Sequence, residues 1–136
     1  MTKKRLESYR DMLAEAEEIK EQLEELEEMM ASPRVPDMDG MPRGSSKMDS
    51  AAILASLIEL RDKYIAKVQA IAQELSEIES AISALPPVYR RILRGKYING
   101  ESLVTIAARV GYSYAHIKRL HEEAIKNIEF GKDDPL

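Results

Sequence analysis

The 136-residue sequence contains no cysteine, no tryptophan and a single phenylalanine. Without cysteine, disulfide bonds, thiolate catalysis and cysteine-ligated zinc are excluded. No apolar run approaches the roughly 18 residues of a membrane-spanning helix. The basic start of the chain is followed by Glu7 and Asp11 rather than by an apolar segment, which is not the pattern of a signal peptide. We therefore expect a cytoplasmic protein that does not contact a membrane.

Charge is divided unevenly along the chain, although the formal net charge is −4. Residues 1–31 carry 5 basic and 10 acidic side chains, whereas residues 86–130 carry 8 basic and 4 acidic ones. Nucleic-acid affinity depends on the local basic surface and its phosphate contacts rather than on the average charge. The overall acidity therefore does not exclude DNA as a partner of the C-terminal segment.

Two long helices are predicted in the N-terminal part of the chain. Apolar residues recur every three or four positions over residues 3–31, and a run of glutamates covers the opposite face. Residues 49–85 predict a second helix with a coiled-coil-like seam. Residues 32–48, rich in Pro and Gly, predict the loop between the two helices. The ten seam positions are Leu54, Leu57, Arg61, Tyr64, Val68, Ile71, Leu75, Ile78, Ile82 and Leu85.

The pattern as a whole predicts an all-α protein in which residues 1–85 form a long antiparallel helical hairpin. A two-helix hairpin buries only one stripe per helix and is marginal alone. We therefore expect a homodimer formed through the hairpin, in a four-helix arrangement.

A smaller domain of three helices is predicted over residues 86–130, followed by a tail, residues 131–136. Pro86-Pro87 starts a helix over 88–97, and Asn99-Gly100 is a turn signal. Ser102 caps a short helix that Gly111 ends, and Ser113 caps a last helix reaching about Phe130. The predicted core residues are Leu103, Ile106, Val110, Tyr112, Ile117, Leu120, Ala124, Ile125 and Ile128, with Ala107 as the small residue where the helices touch. This is a helix-turn-helix by its physical specification.

The stretch over residues 85–128 resembles region 4 of sigma-70-type factors. The residues that carry the resemblance are Leu85-Pro86-Pro87, the run from Ser102 to Ser113, and Ile117-Lys118-Arg119-Leu120-His121 with Ala124-Ile125. It is similar in particular to small phage-encoded regulators of Gram-positive bacteria (RinA-like and ArpU-like proteins). The resemblance implies a transcription regulator of phage or prophage origin, with RNA polymerase as a further candidate partner. The chain has no room for a second promoter-reading domain, so we do not expect autonomous promoter opening.

Double-stranded DNA is the partner that this motif predicts, because the second helix of a helix-turn-helix enters the major groove with its N-terminal part. Their positions around the predicted helix place Ile117 and Leu120 on its inward face. The predicted base-reading residues are Tyr114, Ala115, His116 and Arg119. The predicted phosphate-contacting residues are Ser102, Thr105, Arg109, Ser113 and Lys118, with Arg90, Arg91 and Arg94 extending the contact.

Catalysis is not expected, and neither is a cofactor or a metal. His116 and His121, the two histidines of the chain, lie about 140° apart around a helix and do not converge as ligands. Two alternatives to a DNA-binding regulator stay open. One is a coiled-coil adaptor whose helix-turn-helix contacts protein. The other is a factor that binds RNA polymerase or a sigma factor and uses the acidic helix against a basic surface.

Overall fold

A computed structural model describes residues 2–31 and 50–130, and this part of the chain is helical with no strand. The all-α fold class is therefore confirmed. Five α-helices follow in order, with one π-helical turn after the third: α1 (Thr2–Ala31), α2 (Ser50–Ser83), α3 (Pro87–Leu93), the π-turn (Arg94–Ile98), α4 (Leu103–Val110) and α5 (Tyr114–Asn127). Of the described helices, none is long and apolar enough to cross a membrane.

The chain divides into two compact units, and the division does not fall at residue 86. The first unit lies within Met1–Leu13 and Ala70–Leu136, and the second within Ala14–Gln69. The predicted loop 32–48 and tail 131–136 lie outside the described residues. The start of α1 and the end of α2 therefore belong to the same unit as α3, α4 and α5.

The core of the first unit draws on both ends of the sequence. Leu6 and Tyr9 of α1 are buried against the last turns of α2 and against the C-terminal part of the chain. Arg5 pairs with Glu74 at 2.7 Å and also with Glu77. The other buried members of this core are Ile78, Ala81, Ile82, Leu85, Leu93, Tyr97, Ala124, Ile128 and Phe130. Burial of this apolar surface is what holds the unit together.

The second unit is built from the remaining turns of α1 and α2. Ala16, Leu23 and Ile53 are buried in it. Lys67 Nζ lies 2.7 Å from a carboxylate oxygen of Glu15. The fully buried apolar residues of this unit are therefore few, and most of the surface of both helix segments is exposed or half-buried.

The seam predicted for α2 is correct at seven of its ten positions and displaced by one residue at the other three. Ile78, Ile82 and Leu85 are buried, but Leu54 and Val68 are 48% and 41% exposed. Leu57 and Tyr64 are half-buried as predicted, whereas Ile53, Leu60 and Lys67 are buried or half-buried in place of Leu54, Arg61 and Val68. Two causes explain the displacement. A helix of 3.6 residues per turn drifts from a strict seven-residue repeat, and a lysine can bury its aliphatic stem while its charge reaches a carboxylate.

Two boundaries in the C-terminal part also differ from the prediction. The helix expected over 88–97 is α-helical only to Leu93, after which Arg94–Ile98 forms the π-turn. The last helix ends at Asn127 rather than near Phe130, because Ile128 adopts extended backbone angles. The extension carries Phe130 back into the core, where the Arg5 guanidinium lies 4.2 Å from the centre of its ring.

Candidate nucleic-acid interface

The start of α4 is fixed by Ser102 and by a close approach to the π-turn. Ser102 has extended backbone angles, and its hydroxyl accepts the backbone N–H of Thr105 at 3.1 Å. Gly95 of the π-turn lies so close that an added Cβ would stand 2.7 Å from Glu101 Oε1 and 3.0 Å from Ile106 Cδ1. A larger residue at position 95 would therefore have to displace the carboxylate of Glu101 and the end of the Ile106 side chain.

A tight turn joins α4 to α5. Gly111 ends α4 in the left-handed region, with φ 81° and ψ 24°. Its N–H and that of Tyr112 both donate to the carbonyl of Ala107. Ser113 then caps α5, its hydroxyl accepting the backbone N–H of His116 at 3.1 Å. Both predicted caps and the predicted C-terminal glycine are confirmed at these positions.

A small apolar cluster holds α3, α4 and α5 together. Ile92, Ile106, Ala107 and Ile117 are its buried members. The half-buried residues packed around them are Val88, Leu103, Val110 and Leu120. Ala107 is only 5% exposed, and a side chain of this size lets two helices approach closely. Ala107 is therefore buried in this cluster, as predicted.

The core role predicted for Tyr112 is wrong. Its side chain is 43% exposed, and its ring lies against His116, with the ring centres 4.8 Å apart. The cluster around Ile117 is already filled by aliphatic side chains from α3 and α4. Following the left-handed Gly111, the Tyr112 ring covers the outer surface of the first turn of α5.

The predicted base-reading residues share the outer face of the first turns of α5. Tyr114, Ala115 and Arg119 are exposed and His116 is half-buried, while the intervening Ile117 is fully buried. Lys118, predicted to meet phosphate, is exposed beside them, its ammonium 5.7 Å from the centre of the Tyr114 ring. The buried isoleucine fixes the rotation of the helix, so these side chains are presented outward together.

A hydrogen bond orients the Arg119 side chain. One terminal nitrogen of its guanidinium lies 2.7 Å from Nδ1 of His116. Arginine can only donate, so Nδ1 of His116 is the acceptor and carries no proton in this pair. The ring of His116 is in turn covered by Tyr112. The other guanidinium N–H groups make no further hydrogen bond to a described residue and are available to a ligand.

The predicted phosphate-contacting residues in and beside α4 are exposed, but each already makes a hydrogen bond or an ion pair within the protein. Ser102 and Ser113 are exposed although each caps a helix, and Thr105 is exposed beside Ser102. Arg109 is exposed but paired with Glu101, its guanidinium 2.6 Å from Oε2. This hydrogen bond raises the pKa of Arg109. Arg109 would have to exchange a carboxylate for a phosphate.

Of the three arginines predicted to extend this surface, two are tied to the protein itself. Arg90 donates to the carbonyl of Leu85 at 2.8 Å. Arg94 makes a two-pronged pair with Glu79, the shortest distance being 2.7 Å, and this hydrogen bond raises the pKa of Arg94. Arg91 is exposed. Arg90 and Arg94, two members of the basic cluster that the sequence predicted, thus hold α3 and the π-turn in place.

Sequence reasoning missed a buried polar pair beneath this surface. Tyr97 and His121 are 2% and 3% exposed, and Tyr97 Oη lies 2.8 Å from His121 Nε2 with the two rings stacked. Burial raises the pKa of Tyr97 to about 12 and lowers the pKa of His121. A hydrogen bond also joins Tyr89 to Glu123 at 2.9 Å. These bonds join α3 and the π-turn to α5.

Comparison with known proteins adds no relative: no protein-family model, no curated protein sequence and no solved structure matches the chain.

Proposed function

We propose that this chain is a sequence-specific DNA-binding transcription regulator that reads the major groove with the first turns of α5. The observation that carries the proposal is the exposed face of α5, where Tyr114, Ala115, Lys118 and Arg119 stand together above the buried Ile117. An α-helix fits the major groove of B-DNA, and a guanidinium presents two donors to the acceptors of a guanine edge. The resemblance to sigma region 4 and to phage regulators supports the same assignment.

In this proposal α4 and α5, with the turn at Gly111, form a helix-turn-helix. The short turn and the apolar cluster beneath it support this geometry, because they hold the two helices in one fixed relation. Ser102 and Ser113, at the N-terminal ends of α4 and α5, supply the hydroxyls and amides that commonly bind phosphate. Lys118 and Arg91 add positive charge.

The long helices form an antiparallel hairpin in the same proposal. Arg5 pairs with Glu74 in the first unit, and Glu15 pairs with Lys67 in the second. Each ion pair supports side-by-side packing of α1 and α2 within its own unit, which is what the proposed hairpin requires there.

Selection of bound DNA from a random pool at about 0.15 M salt tests the proposal. We expect a recovered motif whose affinity falls with salt, with a log–log slope of about −0.9 per phosphate contacted. Arg119→Ala should relax the preference at one base position and cost about 1–3 kcal/mol there. Lys118→Ala should weaken all sequences alike. Lys20→Ala, which removes the same charge from α1, is the matched control and should leave binding unchanged.

A second candidate function is an adaptor or a factor that binds RNA polymerase through the acidic helix. One observation favours it: the glutamates of the middle and end of α1 are exposed. These residues are Glu15, Glu17, Glu18, Glu21, Glu24, Glu25, Glu27 and Glu28. If the random pool yields no motif and purified polymerase retains the protein at 0.15 M salt, the adaptor function replaces the DNA-reading one.

A further inference from the structure

One of the four predicted base-reading residues differs from the others in how much of its side chain is free. Tyr114, Ala115 and Arg119 are exposed, whereas His116 is half-buried. The Tyr112 ring lies against the imidazole of His116, with the ring centres 4.8 Å apart. Nη2 of Arg119 lies 2.7 Å from Nδ1 of the same imidazole. Part of the ring surface and one nitrogen of His116 are therefore already engaged within the protein.

We infer that His116 is a positioning residue that sets the direction of the Arg119 guanidinium, and that Arg119 alone of this pair reads a base. The inference rests on the proposed function, since it assigns roles within the same DNA-reading surface. Residues three apart are neighbours on the surface of a helix, so the pair lies within the first turns of α5. Since Nδ1 accepts from Arg119, Nε2 carries the ring proton when the imidazole is neutral.

The bond to His116 leaves Arg119 able to read guanine. A guanidinium has two edges that each present two N–H groups, one formed by its two terminal nitrogens and one by Nε with Nη2. His116 accepts from Nη2, and each N–H of Nη2 belongs to only one edge. The other edge therefore stays complete. It matches the O6 and N7 acceptors that guanine presents in the major groove.

Orientation before binding increases base preference because it removes part of the cost of ordering the arginine. An arginine without a partner samples many rotamers, and fixing it on a base costs free energy at the moment of binding. The backbone of His116 is itself fixed, since its N–H donates to Oγ of Ser113 at 3.1 Å. We expect His116 to contribute about 2- to 10-fold to the guanine preference. The effect is confined to the one position that Arg119 reads, because only there does a base accept from Arg119.

Nitrogen NMR of the full chain without DNA tests the pair itself. The ring signals of His116 are those that disappear in His116→Leu. At pH 8 the neutral ring should carry its proton on Nε2, and Arg119→Ala should shift the Nδ1 resonance. A proton on Nδ1 would overturn the inference, because that nitrogen could then accept nothing from Arg119.

Two substitutions of His116 test its role in base preference. His116→Leu removes the acceptor and should lower the guanine preference about 2- to 10-fold at the one position that Arg119→Ala also relaxes. His116→Asn is the matched control and should restore most of the preference, because Oδ1 of asparagine stands as many bonds from the backbone as Nδ1 of histidine. Both variants keep the backbone N–H that Ser113 caps. Circular dichroism of each variant verifies that the helices are retained.

A double variant separates positioning from direct base reading. In a chain that carries Arg119→Ala, adding His116→Leu should relax no further position of the selected motif, since His116 acts only through the arginine. If His116→Leu instead relaxes a second position, and its effect adds to that of Arg119→Ala, then His116 reads a base itself and the inference is wrong. Equal losses with leucine and asparagine would also contradict it. A wild-type chain that selects no motif would overturn the proposed function together with this inference, whereas the other contrary outcomes overturn the inference alone.

Discussion

Replacement of Tyr97 by phenylalanine should destabilise the fold out of proportion to the single oxygen removed. Tyr97 Oη lies 2.8 Å from His121 Nε2, and both side chains are almost completely buried. Phenylalanine keeps the ring and its packing but leaves the imidazole nitrogen without a partner inside the core. A buried polar group that loses its partner costs about 1–3 kcal/mol.

The partner substitution His121→Leu should cost a similar amount, because it leaves the tyrosine hydroxyl unpaired instead. The double variant Tyr97→Phe/His121→Leu has no orphaned polar group at this site. Its destabilisation should therefore be smaller than the sum of the two single values by about 1 kcal/mol or more, which is the expected coupling between residues that share one buried contact.

Urea unfolding at pH 7.5, followed by circular dichroism, measures these four free energies of unfolding. The wild-type chain and the three variants should unfold with similar m-values, so that differences in midpoint report stability alone. If Tyr97→Phe costs less than about 0.5 kcal/mol, or if the two single costs simply add, the hydrogen bond does not stabilise the core and the reasoning is refuted.

Three further predictions follow from the same unit. Burial lowers the pKa of His121 in the folded chain, so the contribution of neutral His121 to the free energy of unfolding should be fully present above pH 6.5 and should be lost as pH falls from there toward the pKa in the folded chain. His121→Leu should remove this part of the acid dependence of unfolding. Gly111→Ala should destabilise by about 1 kcal/mol in thermal unfolding because its φ is 81°, whereas Gly111→Asn should cost less; equal losses would contradict a conformational cause. Ser113→Ala should cost about 1 kcal/mol by loss of the cap on α5, and Ser113→Asp should keep the stability; a loss with both would point away from capping.

Features encoded by neighbouring residues could be predicted from the sequence. Ser102, Gly111 and Ser113 act within one turn of their own positions, and the capping and left-handed geometry of each depend on its own side chain. The predicted bounds of α4 therefore agree with the structure residue for residue. The all-helical class followed in the same way from the apolar periodicity.

Features that depend on distant contacts could not be predicted. The residues next to Tyr112 in the sequence do not indicate that the cluster around Ile117 is already filled by other side chains. The residues next to Lys67 likewise do not indicate that Glu15 of α1 lies close enough to pair with it. Arg94, which the sequence predicted as a phosphate contact, is likewise already paired with Glu79. The π-turn at 94–98 places Gly95 against Glu101 and Ile106 of α4, contacts that the residues next to Gly95 in the sequence do not indicate.

The shared core of Leu6 and Phe130 has a consequence for the order in which the protein is made. These two buried residues come from opposite ends of the described chain, so the unit that carries α5 cannot complete its core until nearly the whole sequence has left the ribosome. A helical protein ordinarily folds through local contacts, but here the first turns of α1 must wait for the last helix. The unit that contains α5 is thus complete only once residue 130 has been made, and a product truncated before residue 124 would lack the last turn of α5 and the buried Ala124, Ile128 and Phe130.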